Sequence, residues 1–522
     1  MKIKRRQNKE LQRYRDTRAR GYRNAETREY GDIKTDPVSL RPRVSVSQKP
    51  RVSTGMARLI DNILTATQGR LLQELKTGEP DGFSIDSRTL KPGQVFIALI
   101  GERFNGHDFI LEALQKGAKG VILSDETSFH RLQREALNLD FFVIQVEDTL
   151  RALQNLAHFY RMQYRHIPLI GVTGSNGKTT VKEMIASILS QRYITLKSQG
   201  NWNNLIGLPL SLLSLTDTHG AGVLEMGMSK AGEIKRLAEI AEPDVGIITN
   251  ISGAHLEFFD SIEAIMKAKV ELIQSLPLNG VAVLNADDTF FPSMVQEVRC
   301  KLITFGINWE ANVSATDITL SENKTYTFNL RINGGKCSIT LPVMGYHNIY
   351  NALAAAAATH ALGLNLSEIQ RGLENFQSAP MRMETISHKG ILILNDAYNA
   401  NPSSVKMALK TLKEISGVGR KIAVLGDMLE LGKWSEMAHK GVGEAVADLG
   451  IDLLWVLGPY SQFIALGAQE KGMEPNRIFL ADSHEQIIEK LQNELKEGDT
   501  VLIKGSRGMK MEKIVKGLIT TH

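Results

Sequence analysis

Cysteine is nearly missing from this chain: 522 residues hold only Cys300 and Cys337. Two thiols cannot build a disulfide framework, and they lack metal-ligand spacing. Each reads as a small buried apolar side chain, and a reducing cytoplasm fits. Also absent is any apolar run approaching the roughly 20 residues of a membrane helix, which excludes a helical span. Met1-Lys2-Ile3-Lys4-Arg5-Arg6 opens the chain with no apolar h-region after it, so no secretory signal is expected. What remains, 43% hydrophobic and 23% charged residues, is ordinary globular composition. The length predicts about three domains at roughly 150 residues each.

The net charge of +5 is unevenly placed. Residues 1–51 hold sixteen Lys or Arg against six Asp or Glu, a net of +10, which leaves the rest at −5. The basicity therefore belongs to a tail, 1–54, without apolar periodicity. Disorder is the plain expectation for such a segment. The sharper reading is an arm for nucleic acid or anionic lipid. A transit peptide fits less well, because acids are present.

Beyond the tail, short apolar segments alternate with helical patterns. Strands predicted at 95–99, 120–123 and 141–144 make 55–165 a small α/β domain. Strands predicted at 167–172, 223–226, 245–249 and 281–285 make 166–380 a doubly wound domain, since short continuous apolar runs suit a parallel sheet covered on both faces. Residues 310–343 alternate instead, as in Tyr326-Thr-Phe-Asn-Leu-Arg-Ile, which predicts an antiparallel hairpin insert. Strands at 391–395, 421–425, 453–457 and 500–503 predict a third, Rossmann-like unit over 381–522. The expected fold class is α/β in three domains.

The strongest local signal is Gly171-Val-Thr-Gly174-Ser175-Asn176-Gly177-Lys178-Thr179-Thr180, between a predicted strand and a predicted helix, the context a phosphate loop requires. Glycines let N–H groups converge on phosphate oxygens, and the helix N-terminus adds positive potential. Lys178 would neutralise the β and γ phosphates, and Thr179 would coordinate Mg²⁺. The spacing departs from the strict Walker form. Mononucleotide binding follows; the reaction class does not. Glu225 ends a predicted strand where a parallel sheet opens onto its ligand crevice, and a hard oxygen ligand for Mg²⁺ suits that place. A solvated loop acid is the alternative.

Several segments in order resemble the Mur ligase family: the phosphate loop, Asn201-Trp-Asn203-Asn204, Glu225-Met-Gly227, Asn250-Ile-Ser-Gly-Ala-His255, Lys269-Val-Glu271, Asn285-Ala-Asp287-Asp288, Gly345-Tyr-His347-Asn348-Ile-Tyr-Asn351 and Arg382. Asn395-Asp396-Ala-Tyr398-Asn399-Ala-Asn401-Pro402-Ser403, Leu425-Gly-Asp427-Met-Leu-Glu430 and Lys504-Gly-Ser-Arg507 complete the set. The third-domain wording resembles the branch that adds D-alanyl-D-alanine to a UDP-N-acetylmuramoyl-tripeptide. The tail has no counterpart in the family pattern.

The resemblance implies an ATP-dependent amide ligase of peptidoglycan synthesis, cytoplasmic and monomeric, working through an acyl phosphate with two Mg²⁺ ions. It implies that the first domain binds the UDP-sugar through Ser87 and Arg88, and that Asn203 and Asn204 also meet substrate. His255 is implied as a ligand of the second metal, although a lone histidine is more often structural. His347, Asn348 and Asn351 are implied on the adenine side of the nucleotide, with Asp396 beside it. Arg382, at a domain boundary, would reach the γ-phosphate; a surface salt bridge is the alternative. Tyr398, Asn399 and Asn401 would hold the dipeptide or ribose, although Asn401-Pro402 also reads as a turn. Lys504 and Arg507 would meet the dipeptide carboxylate. Asp427 and Glu430 would support the site from behind. The rival readings are another Mur step, folylpolyglutamate synthetase, or a P-loop NTPase with a nucleic-acid-gripping tail.

Lys269 interrupts an apolar stripe. A helix start is predicted at Asp260-Ser-Ile-Glu263, a capping-box pattern, and Ile262, Ile265, Met266, Lys269 and Ile273 then share one face. A buried lone ammonium needs a partner or chemical neutralisation, unless the side chain snorkels outward. The resemblance implies carbamylation by CO₂, giving an anionic oxygen ligand for the second Mg²⁺.

Overall fold

The computed structural model describes residues 56–136, 139–253 and 256–520. The tail and His255 lie outside the described residues. Three sheets organise what is described, and the three-unit α/β architecture expected from the strand pattern is present.

The first sheet comprises β1 (Arg70–Gln73), β2 (Phe83–Ser84), β3 (Val95–Ile97), β4 (Gly120–Leu123) and β5 (Phe142–Gln145), in the order β1-β5-β4-β3-β2. Only β1 runs antiparallel to its neighbour. Strands β3 and β4 are buried throughout, because helices cover both faces of such a sheet.

The central sheet holds β6 (Leu169–Thr173), β7 (Thr195–Lys197), β8 (Ala221–Glu225), β9 (Val245–Ile248), β10 (Val281–Asn285), β11 (Lys301–Gly306), β12 (Val313–Leu320), β13 (Tyr326–Ile332) and β14 (Gly335–Thr340). Their order is β14-β13-β12-β11-β10-β9-β6-β8-β7. The expected hairpin insert is a three-strand meander continuing this sheet, with β12 parallel to β11 and the next two pairings antiparallel. Strand β6 sits between β8 and β9. The chain leaves it toward opposite sides of the sheet, so its carboxyl end is a topological switch point, where open α/β sheets bind ligands.

The third sheet comprises β15 (Glu384–His388), β16 (Ile391–Asp396), β17 (Lys421–Gly426), β18 (Leu453–Leu457), β19 (Ile478–Ala481) and β20 (Thr500–Lys504), in the order β15-β16-β20-β17-β18-β19. Strand β15 is an antiparallel edge whose burial alternates.

Between the central sheet and the rest of the core runs the helix His347–Ala361, whose Ala354 to Ala358 are all buried. Small side chains let it lie close to the helix Lys178–Leu189 that follows β6. Among the described residues no helix is long and apolar enough to cross a membrane.

Candidate active site

The loop after β6 turns on two glycines that no other residue replaces without strain. Gly174 has φ +148° and Gly177 φ +82°; a Cβ at the first would stand 1.8 Å from Thr249 Oγ1, and at the second 2.4 Å from Asn351 Oδ1. The loop is braced from β9 and the segment after it. Thr249 Oγ1 donates to Asn176 O at 2.6 Å, Ser175 Oγ donates to Ser252 O at 2.9 Å, and Asn176 N donates to Asn250 Oδ1 at 3.1 Å. Gly177 precedes the helix Lys178–Leu189, so unpaired N–H groups of its first turn face the crevice. Lys178 Nζ donates to Gly174 O at 2.8 Å. Burial pushes its ammonium below the ordinary range; Glu225 opposes the shift and Arg382 adds to it.

Glu225, at the end of β8, is 2% exposed. Both carboxylate oxygens are held: Oε2 accepts from Thr179 Oγ1 at 2.8 Å, and Oε1 accepts from Asn203 Nδ2 at 2.9 Å. A buried acid beside a hydroxyl at the phosphate loop is a hard-oxygen donor set, and it is no solvated loop acid. Asn204 differs: its Oδ1 accepts from Gly207 N at 2.8 Å and Ile206 N at 3.2 Å, which fixes the start of the helix Gly207–Leu212.

From the third sheet, β16 and β20 bring Asp396 and Lys504 together. Lys504 Nζ donates to Asp396 Oδ2 at 2.5 Å and to Asn399 O at 2.9 Å, so any anion that reaches this cation meets it already paired. Asn399 Oδ1 accepts from Ala400 N. Asn401 caps the helix Pro402–Ile415 through Ser404 N at 2.9 Å, while its Nδ2 donates to Asn176 Oδ1 at 2.8 Å. Asn401 is thus the cap of a helix that begins at Pro402 rather than part of a turn, and the same side chain ties the third unit to the phosphate loop. Arg382 stacks over the Tyr398 ring at 4.2 Å. Met381 and Met383 on either side of it have φ +60° and +50°, a left-handed backbone uncommon for residues other than glycine. Arg507 pairs with Glu512 at 3.1 Å on the surface.

On the opposite wall, Asn348 Nδ2 donates to Met344 O and Asn351 Nδ2 to Asn348 Oδ1. Burial holds His347 down at about 4, with Lys504 adding to the shift and Asp396 opposing it. Sequence reasoning assigned no role to Asp287, which accepts from Ile307 N, Trp309 N and Tyr350 Oη and so shapes this wall. The Asn285-Ala-Asp287-Asp288 segment after β10 was the signal.

One cavity of about 810 Å³ gathers these groups: Ser175 to Thr180, Asn203, Asn204, Glu225, His347, Asn348, Asn351, Arg382, Asp396, Tyr398, Asn399, Asn401 and Lys504. Arg507, Ser87 and Arg88 do not line it. Ser87 is buried in the first unit, and Arg88, exposed, pairs with Asp86 at 2.7 Å.

Lys269 is 1% exposed on the helix Ile262–Gln274, with Ile265, Met266 and Ile273 buried beside it. Snorkelling is thereby ruled out. The cap is Ser261, whose side chain accepts from Ala264 N, rather than Asp260, and Ile262 is exposed. Among the described residues Lys269 has no hydrogen bond or ion pair. Burial, and then Lys178, push it well below its ordinary value.

A phosphate loop at a switch point, a buried acid beside its threonine, and a third α/β unit closing over both define the architecture of a nucleotide-dependent enzyme. Family models agree in chain order: Mur ligase family, catalytic domain, over 80–161; Mur ligase middle domain over 172–359; and Mur ligase, glutamate ligase domain, over 381–507. The UDP-N-acetylmuramoyl-tripeptide–D-alanyl-D-alanine ligase of Bacillus subtilis is 38% identical over 464 residues, 88% of this chain and 98% of that protein. The crystal structure of MurF from Acinetobacter baumannii matches with a TM-score of 0.80 at 32% identity, covering 88% of this chain and 98% of that one. MurF ligase from Thermotoga maritima in complex with ADP matches with a TM-score of 0.73 at 31% identity, over 84% and 96%. The chain belongs to the Mur ligase family, on its MurF branch.

Proposed function

We propose that this chain ligates D-alanyl-D-alanine to UDP-N-acetylmuramoyl-tripeptide with ATP, in the cytoplasm and as a monomer, during peptidoglycan precursor synthesis. The observation that carries the reading is one shared cavity in which the phosphate loop, Glu225 and Arg382 face the third-unit groups Tyr398 and Asn399. The Bacillus subtilis relative named above carries the same activity in its name. The units map onto the task as UDP-sugar binding over 55–165, ATP binding over 166–380 and dipeptide ligation over 381–522, with 1–54 outside the catalytic unit.

A carboxylate is a poor electrophile, so its oxygen first attacks the γ-phosphorus of ATP, releasing ADP and leaving an acyl phosphate. The dipeptide amine then attacks the acyl carbon, loses a proton, and inorganic phosphate departs with the former carboxylate oxygen. The first step brings anions together. Lys178 gives up its contact with Gly174 O to meet the β and γ phosphates, and Arg382 approaches the γ-phosphate from the third unit. Bound Mg²⁺ supplies charge neutralisation at the phosphate oxygens. Thr179 and Glu225 suit one ion, because Mg²⁺ takes one or two carboxylates and completes its shell with phosphate and water. His255 and carbamylated Lys269 are assigned to the second. Adenine lies along His347, Asn348 and Asn351, ribose near Asp396, and the dipeptide by Tyr398, Asn399, Asn401, Lys504 and Arg507. Ser87, Arg88, Asn203 and Asn204 serve the UDP-linked substrate, Asn203 also through Glu225.

The test is mass spectrometry of products from UDP-muramoyl tripeptide, ATP and a panel of amines. D-alanyl-D-alanine is expected to give the pentapeptide product. Phosphate release driven by glutamate or by polynucleotide, with no pentapeptide, would overturn the reading.

A further inference from the structure

The site described above leaves one buried cation unused. Lys182 lies one turn beyond Lys178 on the helix Lys178–Leu189, is fully buried, and does not line the cavity. Its Nζ donates to Ser198 O at 2.9 Å and Gly200 O at 3.4 Å, and pairs with Glu183 Oε1 at 2.9 Å. Three contacts engage all three donors of the ammonium. Glu183 also pairs with Lys197 at 2.6 Å, at the end of β7. A buried ion pair is weak evidence for stability, since desolvation offsets most of the attraction. Its use lies in what it fixes.

It fixes the segment 198–203, which runs from β7 to the cavity. Ser198 Oγ accepts from Glu225 N at 3.1 Å. Asn203, at the other end, donates to Glu225 Oε1, and Asn203 O accepts from Gly227 N at 2.7 Å. The other carboxylate oxygen is held by Thr179, from the helix that carries Lys182. Glu225 is thus gripped by two elements, the phosphate-loop helix and the segment 198–203, and Lys182 bonds one to the other. We infer that Lys182 is a positioning residue: it sets the separation of Thr179 and Asn203, and through them the orientation of the Glu225 carboxylate toward its metal ion. The inference rests on the assignment of Glu225 to Mg²⁺. Partners behind a metal ligand commonly matter by roughly 10–100-fold in metal affinity.

Lys182→Met keeps the stem and removes the three donors. The measurement is ADP binding to the full chain by calorimetry, with and without Mg²⁺. Metal-free ADP affinity is expected to stay unchanged, while the strengthening by Mg²⁺ falls roughly tenfold or more. Asn203→Ala should reproduce that loss, and the double variant should be no worse than either single one, because both act through one carboxylate. Equal loss with and without Mg²⁺ would show a merely structural role and overturn the inference, as would intact Mg²⁺ strengthening or additive losses. Glu225→Gln separates the two claims. If it keeps the Mg²⁺ effect, the assignment of Glu225 fails and the inference falls with it. If it loses the effect while Lys182→Met keeps it, the role of Lys182 alone fails. Should Lys182→Met not fold, Lys182→Gln, whose shorter neutral side chain loses the charge and cannot engage all three partners, is read in the same way.

Discussion

Replacing Lys269 by methionine is predicted to stabilise this protein while nearly abolishing ligation. The side chain is 1% exposed and has no partner among the described residues. Methionine fills a similar volume and breaks no described bond, so it removes only the desolvation penalty of the amine. Exchanging even a buried ion pair for apolar residues of like size is neutral or gains about 1–4 kcal/mol, and an amine without a partner has no Coulomb attraction to lose. At the lower end, about 1–2 kcal/mol, a unit the size of the central one melts roughly 2–8 °C higher. The sign with pH follows from the lowered pKa. Between the folded value and the ordinary 10.5 the unfolded chain binds the extra proton. Wild-type stability therefore rises with pH across that window, and the advantage of methionine shrinks. The assay is differential scanning calorimetry of wild type and Lys269→Met in metal-free, CO₂-depleted buffer, at neutral pH and again near pH 10. CO₂ must be excluded because the neutral amine is the form that adds it, converting the site to an anion. Lys269→Ala should likewise be nearly inactive, and partly rescued by short-chain carboxylates. A loss of about 3–5 kcal/mol in Lys269→Met at neutral pH, as when one partner of a buried pair is removed, would refute the reasoning.

Asn401→Ala removes a helix cap worth about 1 kcal/mol and the bond to Asn176, worth about 0.5–1.5 kcal/mol net; denaturant unfolding should show the first loss and kcat/KM the second. Asn401→Ser should restore stability but not kcat/KM. His347 is held at about 4 against its ordinary 6.5, so stability is lost as pH falls from 6.5 to about 4; His347→Gln should move the acid-unfolding midpoint to lower pH. Deleting residues 1–50 should leave kcat unchanged in steady-state assays, since every matched motif lies beyond them, and a tenfold loss would make the tail part of the catalytic unit.

The sequence was most informative where chemistry is local. The phosphate loop was legible because only glycine tolerates the backbone at 174 and 177, and Glu225 because a strand end at a parallel sheet faces the crevice. Strands β10 and β18 were read to the residue from continuous apolar runs. Strands β7, β15 and β19 were not, being short or half-exposed edges in which apolar pattern is weak. Long-range pairings stayed hidden. Lys504 reads as a free cation until β16 and β20 place Asp396 beside it, 108 residues away. The Asn401–Asn176 bond spans 225 residues, and its capping and bridging roles use different atoms of one amide. Periodicity placed Lys269 inside, but the cap moved by one residue: Ser261 has the extended backbone that a cap requires, and its side chain accepts from Ala264 N.

The most direct test of the central claim follows one oxygen. UDP-muramoyl tripeptide labelled with ¹⁸O in the carboxylate that becomes the amide is incubated with ATP, Mg²⁺, D-alanyl-D-alanine and the full chain, and the released phosphate is examined by ³¹P NMR. The account predicts one ¹⁸O in each inorganic phosphate, with pentapeptide formed in equal amount. Unlabelled phosphate accompanying the same ATP turnover would contradict it.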